Sequence, residues 1–279
     1  FHDAGFWERP QDYNRLWRFL LDLLALPAAR RSPATITVSE FSKRRLVSLT
    51  GLSEDKLHIV YEAPKSATLR GIDRRTSENV LQKYGLEEQK FLLHVGVLEN
   101  RKNLPRLIEA FALVQQLTGD LKLVLVGQAG PKQDMDNSRR IEKTIQHHGL
   151  ENAVILTGYI PDVELGVFYQ SGNCYVFPSL YEGFGLPILE AFANDLPVVA
   201  ANTTSIPEIA ADAALLFDPT DTEDMARQIM RVIKEKAVRE NLVEAGRRRL
   251  KDFSWERTAQ EIVTIMEMVA KQQPVHHDT

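Results

Sequence analysis

One cysteine, Cys174, occurs among 279 residues, so no disulfide can form within the chain. It stands in an apolar run, which reads as a buried structural thiol rather than a nucleophile, and such sparing use of cysteine fits a reducing, cytoplasmic setting. No apolar stretch reaches the roughly 18 residues of a membrane span, and no signal-like segment opens the sequence. An excess of positive charge is also missing. The 34 Lys and Arg against 38 Asp and Glu leave a formal charge of -4, without the basic balance of a general nucleic-acid binder. Internal repeats and low-complexity tracts are absent as well. What remains, 44% hydrophobic and 26% charged residues, suffices for a sizeable core in a globular protein longer than the commonest single domain.

Metal chemistry has little support. Asp134-Met135-Asp136 has the Asp-x-Asp form of a metal site but stands in a polar loop between Gly130 and a helix, and no metal is expected there. His147-His148 ends a polar helix without Cys or carboxylate partners at ligand spacing, as a solvent-exposed pair does. A dinucleotide fold requires G-x-G-x-x-G after a strand, and Gly183-x-Gly185 lacks the third glycine.

From about 78 to 255 the chain alternates strands and helices. Phe91–Val95, Leu121–Val126, Ala153–Leu156, Tyr175–Phe177, Pro197–Ala200 and Ala214–Phe217 are the predicted strands. Their near-continuous apolar character suits strands covered on both faces, hence an α/β fold with a doubly wound parallel sheet. The N-terminal 75 residues differ. Leu16, Trp17, Phe19, Leu20, Leu23 and Leu24 form an apolar helical stripe beside Arg15 and Arg18, before Pro27. Two readings stand for it: packing within its own domain, or peripheral docking on an anionic lipid surface. Thr35–Val38 follows as a strand, and Ser39 opens the next helix. The tail from Gln272 is expected to fray.

The most informative stretch is Pro178-Ser179-Leu180-Tyr181-Glu182-Gly183-Phe184-Gly185-Leu186-Pro187-Ile188-Leu189-Glu190-Ala191. A buried strand leads into it, Gly183 and Gly185 permit a tight turn, and Pro187 suits the first turn of a helix whose N–H groups attract an anion. Glu182 precedes that helix and Glu190 lies on its first turns. Each carboxylate has two acceptor oxygens and can grip a vicinal diol, the group that a sugar and a ribose share. Either acid alone is also what a helix start uses to satisfy its dipole. The four features together point to a nucleotide sugar, with sugar hydroxyls on Glu182, diphosphate over the helix start and ribose on Glu190.

Glu182-Gly-Phe-Gly-Leu-Pro-x-x-Glu190 resembles the E-x7-E signature of the family 4 glycosyltransferases, retaining enzymes of the GT-B fold. The resemblance extends over nearly the whole chain. It implies a GT-B architecture: residues 1–75 as the C-terminal part of an acceptor-side Rossmann-like domain and linker, 76–255 as a complete nucleotide-sugar domain, and 256–279 as a helix crossing back toward the first. The absent methionine and the strand-end character of Phe1-His2-Asp3 suggest a chain cut inside the first domain.

Within Gly96-Val97-Leu98-Glu99-Asn100-Arg101-Lys102-Asn103, the resemblance makes Arg101 and Lys102 the diphosphate cations, with Asn103 expected as a helix N-cap. Many members carry a further Arg where Val97 stands, which places more weight on these two cations. His2 matches a family histidine near the donor sugar. Tyr159 and Ile160 match the turn bordering the nucleobase, while Gly96, Gly127, Gly183, Phe184, Gly185 and Leu186 let the donor approach the backbone. Ser205-Ile206-Pro207-Glu208 has the form of a capping box.

The expected activity is transfer of a hexose such as mannose or glucose from a nucleoside diphosphate donor to a glycan or lipid-linked glycan acceptor in polysaccharide biosynthesis. No cofactor or metal is expected, since cations and a helix start already serve the diphosphate. The expected site is cytoplasmic, with peripheral contact at the inner membrane face. Two alternatives stand beside it: a non-catalytic nucleotide-sugar-binding module, and another enzyme of the same fold such as an epimerase or phosphorylase. An epimerase would convert the sugar without any acceptor, and a phosphorylase of the glycogen type would require a pyridoxal-binding lysine.

Overall fold

The computed structural model describes residues 1–10, 15–64, 71–88, 90–129 and 137–272, with the backbone alone at 15, 17 and 272. Gly130, the Asp134-Met135-Asp136 loop and the tail beyond Gln272 lie outside the described residues. The chain forms two compact units, one of Phe1–Ala63 with the segment from Phe253 onward, the other of Pro64–Asp252.

In the first unit, β1 (Thr35–Thr37) and β2 (Leu57–Ile59) pair in parallel. Ala4, Leu26, Ala29, Leu46, Leu52 and Leu57 form its core. Ser39 caps the helix Glu40–Thr50 by accepting from the Ser42 N–H, and Gly51 ends it in the left-handed region. From Phe253 onward the chain rejoins this unit. Thr258 in the helix Trp255–Gln272 donates to the Tyr61 carbonyl at 2.7 Å, and Phe253 packs on the Tyr61 ring.

Pro27 does not end the apolar helical run. A π-turn over Leu21–Ala25 joins the α-helices Arg15–Leu20 and Leu26–Arg31, and Pro27 falls in the first turn of the second. The wider turn accommodates a ring that would crowd a regular helix, and a missing N–H costs least at a helix start. Leu16, Phe19, Leu23 and Leu24 are all more than half exposed, while Leu26 and Ala29 face the core of this unit. No helix among the described residues is long and apolar enough to cross a membrane.

The second unit carries the parallel sheet. β3 (Phe91–Val95), β4 (Lys122–Val126), β5 (Val154–Gly158), β6 (Cys174–Phe177), β7 (Val198–Ala201) and β8 (Ala214–Phe217) lie in the order β5-β4-β3-β6-β7-β8. These are the six strands expected from the sequence, with the ends of four of them shifted by one or two residues. Their apolar runs are buried as strands covered on both faces must be: every residue of β6 and β7 is buried, Cys174 among them. Phe91, Tyr175 and Phe177 are fully buried aromatics of the central strands β3 and β6, and Phe168 of the helix Asp162–Ser171 packs on Phe91, each contributing about 1.5–3 kcal/mol by its burial.

This strand order has one reversal, between β3 and β6. Successive strands run outward from β3 on one side and from β6 on the other, so the loops leaving their carboxyl ends turn in opposite directions and open a crevice.

Candidate active site

The loop after β3 brings Arg101 and Lys102, and the loop after β6 brings Glu182. A 3-10 turn over Asn100–Lys102 presents both cations toward the second loop. Lys102 Nζ donates to Glu182 Oε1 at 2.7 Å, and the Arg101 guanidinium donates to Glu182 Oε2 at 3.0 Å and to Glu99 Oε2 at 2.8 Å. The Lys102 ammonium also lies 5.2 Å from the Phe177 ring centroid, over its face. Lys102 and Glu182 are both buried. Burial opposes ionisation of Glu182, but the Lys102 and Arg101 charges outweigh it and hold the carboxyl below its ordinary range. Burial likewise draws the Lys102 ammonium below the usual lysine range, with Glu182 opposing it. Two acids and two bases thus form a self-neutralised cluster at the carboxyl ends of β3 and β6.

Asn103 stands at the expected N-cap position of the helix Leu104–Thr118, at φ 57°, but its side chain does not cap the helix. Its Nδ2 instead donates to the carbonyls of Pro178, at 3.2 Å, and Pro219, at 2.8 Å, tying the cationic loop to the end of β6. Ser205 likewise makes no cap at the helix Ile206–Ala210. Its hydroxyl is directed at the Glu182 and Phe184 carbonyls, 3.0 and 2.9 Å away, and Thr204 Oγ1 accepts from the Glu182 N–H at 3.2 Å. In both cases a distant backbone carbonyl takes the polar group that sequence spacing assigned to a local helix end.

Gly185 stands at φ 119° as the N-cap of the helix Leu186–Ala193, which has Pro187 in its first turn and no side-chain cap. Gly183 and Phe184 lead into it, Phe184 buried, and Leu186 begins it. Glu190 follows one turn on, with its Oε2 accepting from the Tyr169 hydroxyl at 2.9 Å. Tyr169 packs on Tyr175 at 5.8 Å, and the Tyr175 hydroxyl reaches the Val95 carbonyl at 3.3 Å, directly before Gly96. Burial raises the Tyr175 phenol well above its ordinary range, and the charges of Glu190 and, more weakly, Glu182 add to this.

Opposite them, the ends of β3, β4 and β5 form a wall of backbone. The Gly96 N–H donates to Val126 O and the Gly127 N–H to Gly158 O. Gly127 has φ 148°, and a Cβ there would lie 1.9 Å from the Gly96 carbonyl oxygen, so only glycine permits this approach. Beyond the wall, Tyr159 is 73% exposed, with its ring available for stacking, while Ile160 is buried beneath. His2 lies in the first unit, its side chain largely exposed and its Nδ1 3.4 Å from Glu62 Oε1. His147 and His148 are exposed.

Sequence reasoning missed His94. This β3 residue is wholly buried beside the rings of Tyr175 and Phe177, 6.3 Å from each, with Nδ1 3.0 Å from the Val176 carbonyl and Nε2 without a hydrogen-bond partner. Burial, reinforced by the Lys102 charge, draws its pKa down to about 4 against weaker opposition from the Val176 bond and Glu182. The imidazole is therefore neutral at pH 7. A histidine within an otherwise apolar strand was the signal available.

A cavity of about 610 Å³ lies elsewhere. It is lined by Asn173 and Pro197, which precede β6 and β7, and by Arg239 and Arg247. It therefore sits at the amino ends of the strands, the wrong end for a ligand of a doubly wound sheet.

Comparison with known proteins gives a consistent result. A family model, glycosyl transferases group 1, matches residues 76–249. The O-antigen chain mannosyltransferase B of Escherichia coli is 35% identical over 224 residues, 79% of this chain and 57% of that protein. The MMP alpha-(1->4)-mannosyltransferase of Mycolicibacterium hassiacum is 26% identical over 268 residues, 95% of this chain and 60% of that protein. The chain thus spans somewhat under two thirds of the length of these relatives. Among solved structures, sucrose-phosphate synthase from Thermosynechococcus elongatus is similar with a TM-score of 0.80 at 23% identity, over 98% of this chain and 67% of that one. HepE of Anabaena, in complex with UDP and glucose, gives 0.79 at 20% identity, over 96% and 70%. These likenesses show a shared fold, that of the GT-B glycosyltransferases.

Proposed function

Because the chain belongs to the group 1 glycosyltransferases, we propose that it binds the donor in transfer of a hexose from a nucleoside diphosphate to a glycan hydroxyl, with retention at the anomeric carbon. Mannose is the favoured sugar, since the curated relatives named above are mannosyltransferases. The observation that carries the reading is the meeting of Arg101, Lys102 and Glu182 at the carboxyl ends of β3 and β6.

A neutral, pre-paired cluster suits a ligand that brings its own charge. An arriving diphosphate competes with Glu182 for the Lys102 ammonium and offers charge-assisted hydrogen bonds in exchange. The Glu182 oxygens then become available to accept from sugar hydroxyls, which orients the anomeric carbon. As the bond to the sugar breaks, negative charge grows on the diphosphate, and cations already fixed in a low-dielectric setting stabilise it. The leaving phosphate can take the acceptor proton from the same face. Glu190 binds the ribose, the glycine wall admits the nucleotide to the backbone, and Tyr159 stacks on the base.

Replacing Glu182 by Gln in a complete enzyme is expected to lower turnover by about 100-fold or more, as removal of a preorganised site group does. Wild-type turnover in that variant removes Glu182 from the site. Thermal shift with UDP-, GDP- and ADP-sugars identifies the base: a donor at 100 times its dissociation constant adds about 2.7 kcal/mol to stability.

A further inference from the structure

The ribose acid does not stand by itself. We propose that Tyr169, two turns into the helix Asp162–Ser171, is a positioning residue that orients Glu190 toward the donor ribose; this rests on the functional reading given to Glu190 above. The Tyr169 hydroxyl donates to Glu190 Oε2 at 2.9 Å from a ring with no solvent exposure, while Glu190 itself is only partly buried. The phenol has little freedom: its ring packs on Tyr175 at 5.8 Å, and Tyr175 is anchored in turn by its hydroxyl at Val95 O. Burial raises the Tyr169 phenol well above its ordinary range, so it stays protonated and able to donate at neutral pH.

The backbone of Glu190 is held from the other side. Asn194 Nδ2 donates to its carbonyl at 2.9 Å, fixing the helical turn from which the side chain springs. The Tyr169 bond takes one lone pair of Oε2, and a carboxylate has about four acceptor positions in all. The phenol removes rotamers in which the carboxylate turns away, and ordering a side chain beforehand is what preorganisation contributes to affinity. Tyr169 needs no contact with the nucleotide to have this effect. It acts through Glu190, and its influence is confined to ligands that carry ribose hydroxyls.

The test uses calorimetry with UDP and GDP, each beside its 2′,3′-dideoxy counterpart, on the full chain. For the nucleotide that binds, Tyr169→Phe is expected to weaken the ribose form about tenfold and leave the dideoxy form unchanged, since the ring and its packing are retained. Equal weakening of both forms marks a structural effect and overturns the inference, as does unchanged affinity for both. Glu190→Ala separates this inference from the reading beneath it. If Glu190→Ala abolishes discrimination between ribose and dideoxy forms while Tyr169→Phe keeps it at the wild-type level, only the role of Tyr169 falls. If Glu190→Ala leaves discrimination intact, or the wild-type chain binds neither nucleotide, the ribose reading itself is overturned and the inference with it.

Discussion

Lys102 Nζ and Glu182 Oε1 lie 2.7 Å apart, joined across 80 residues of sequence, with little of either side chain open to solvent. A contact of this kind is worth more as an arrangement than as a source of stability. Desolvating two charges consumes much of what their attraction returns, whereas leaving one without the other costs heavily.

Lys102→Met is accordingly expected to destabilise the protein by about 3 kcal/mol, because a buried carboxylate loses its nearer cation. The double change Lys102→Met with Glu182→Leu is expected to recover most of that loss, Arg101 keeping its bond to Glu99. Urea unfolding of the wild type, both single variants and the pair closes the cycle. Additive losses would contradict a coupled pair.

His94 gives the protein an acid sensitivity of defined sign. Its folded pKa of about 4 lies below the ordinary 6.5, so the unfolded chain takes up the proton more readily. The contribution is complete above about pH 6.5 and is lost as pH falls toward 4, amounting to about 3 kcal/mol at 1.36 kcal/mol per unit. Glu182 has the same sign in a lower window: its depressed pKa contributes stability above about pH 4.3 that disappears on further acidification. Stability measured from pH 7 to 4 should fall less steeply in His94→Leu than in the wild type. Equal slopes would show that His94 is not the group responsible.

Two glycines with unusual φ make a paired experiment. At Gly127, a Cβ would meet the Gly96 carbonyl oxygen at 1.9 Å, and both partners are backbone. At Gly51, φ is 67° and ψ 23°, in the left-handed region, and no atom lies within 4 Å of the added carbon. Gly51→Ala should cost about 1 kcal/mol, the strain of a left-handed alanine. Gly127→Ala should exceed it by at least about 2 kcal/mol, since the strand ends must separate. Thermal unfolding compares them, and similar losses would mean that the close approach is not required.

Asn103→Gly isolates the side chain from the backbone, because glycine adopts the left-handed conformation without strain. Loss of two donors to the Pro178 and Pro219 carbonyls should cost about 2 kcal/mol. Asn103→Asp should cost more, as it sets a charge against both oxygens. If chemical denaturation ranks the glycine variant as the less stable, the two hydrogen bonds are not what this side chain contributes.

Much of the second unit is legible in its sequence. Phe91–Val95 and Ala214–Phe217 coincide with β3 and β8, and the other four strands differ from expectation by one or two residues at their ends. Gly185 before Leu186-Pro187 marks a helix start that the structure contains. Where local spacing mimicked a local role, the reading of side-chain roles failed. Ser205 and Asn103 stand at N-cap positions, yet the side chain of each serves a carbonyl brought near by another strand. Pro27 reads as a helix end, but the adjoining π-turn absorbs it.

The sequence by itself determined the strands, the glycine turns, the E-x7-E motif and the cationic loop, because apolar runs, φ freedom and helix-start chemistry act over a few neighbouring residues. Only the tertiary structure decided that Glu182 rests against both cations, that Tyr169 holds Glu190, and that His94 lies neutral beneath them. Those contacts depend on β3 lying beside β6, and that adjacency follows from how six apolar strands share one core rather than from any segment read alone.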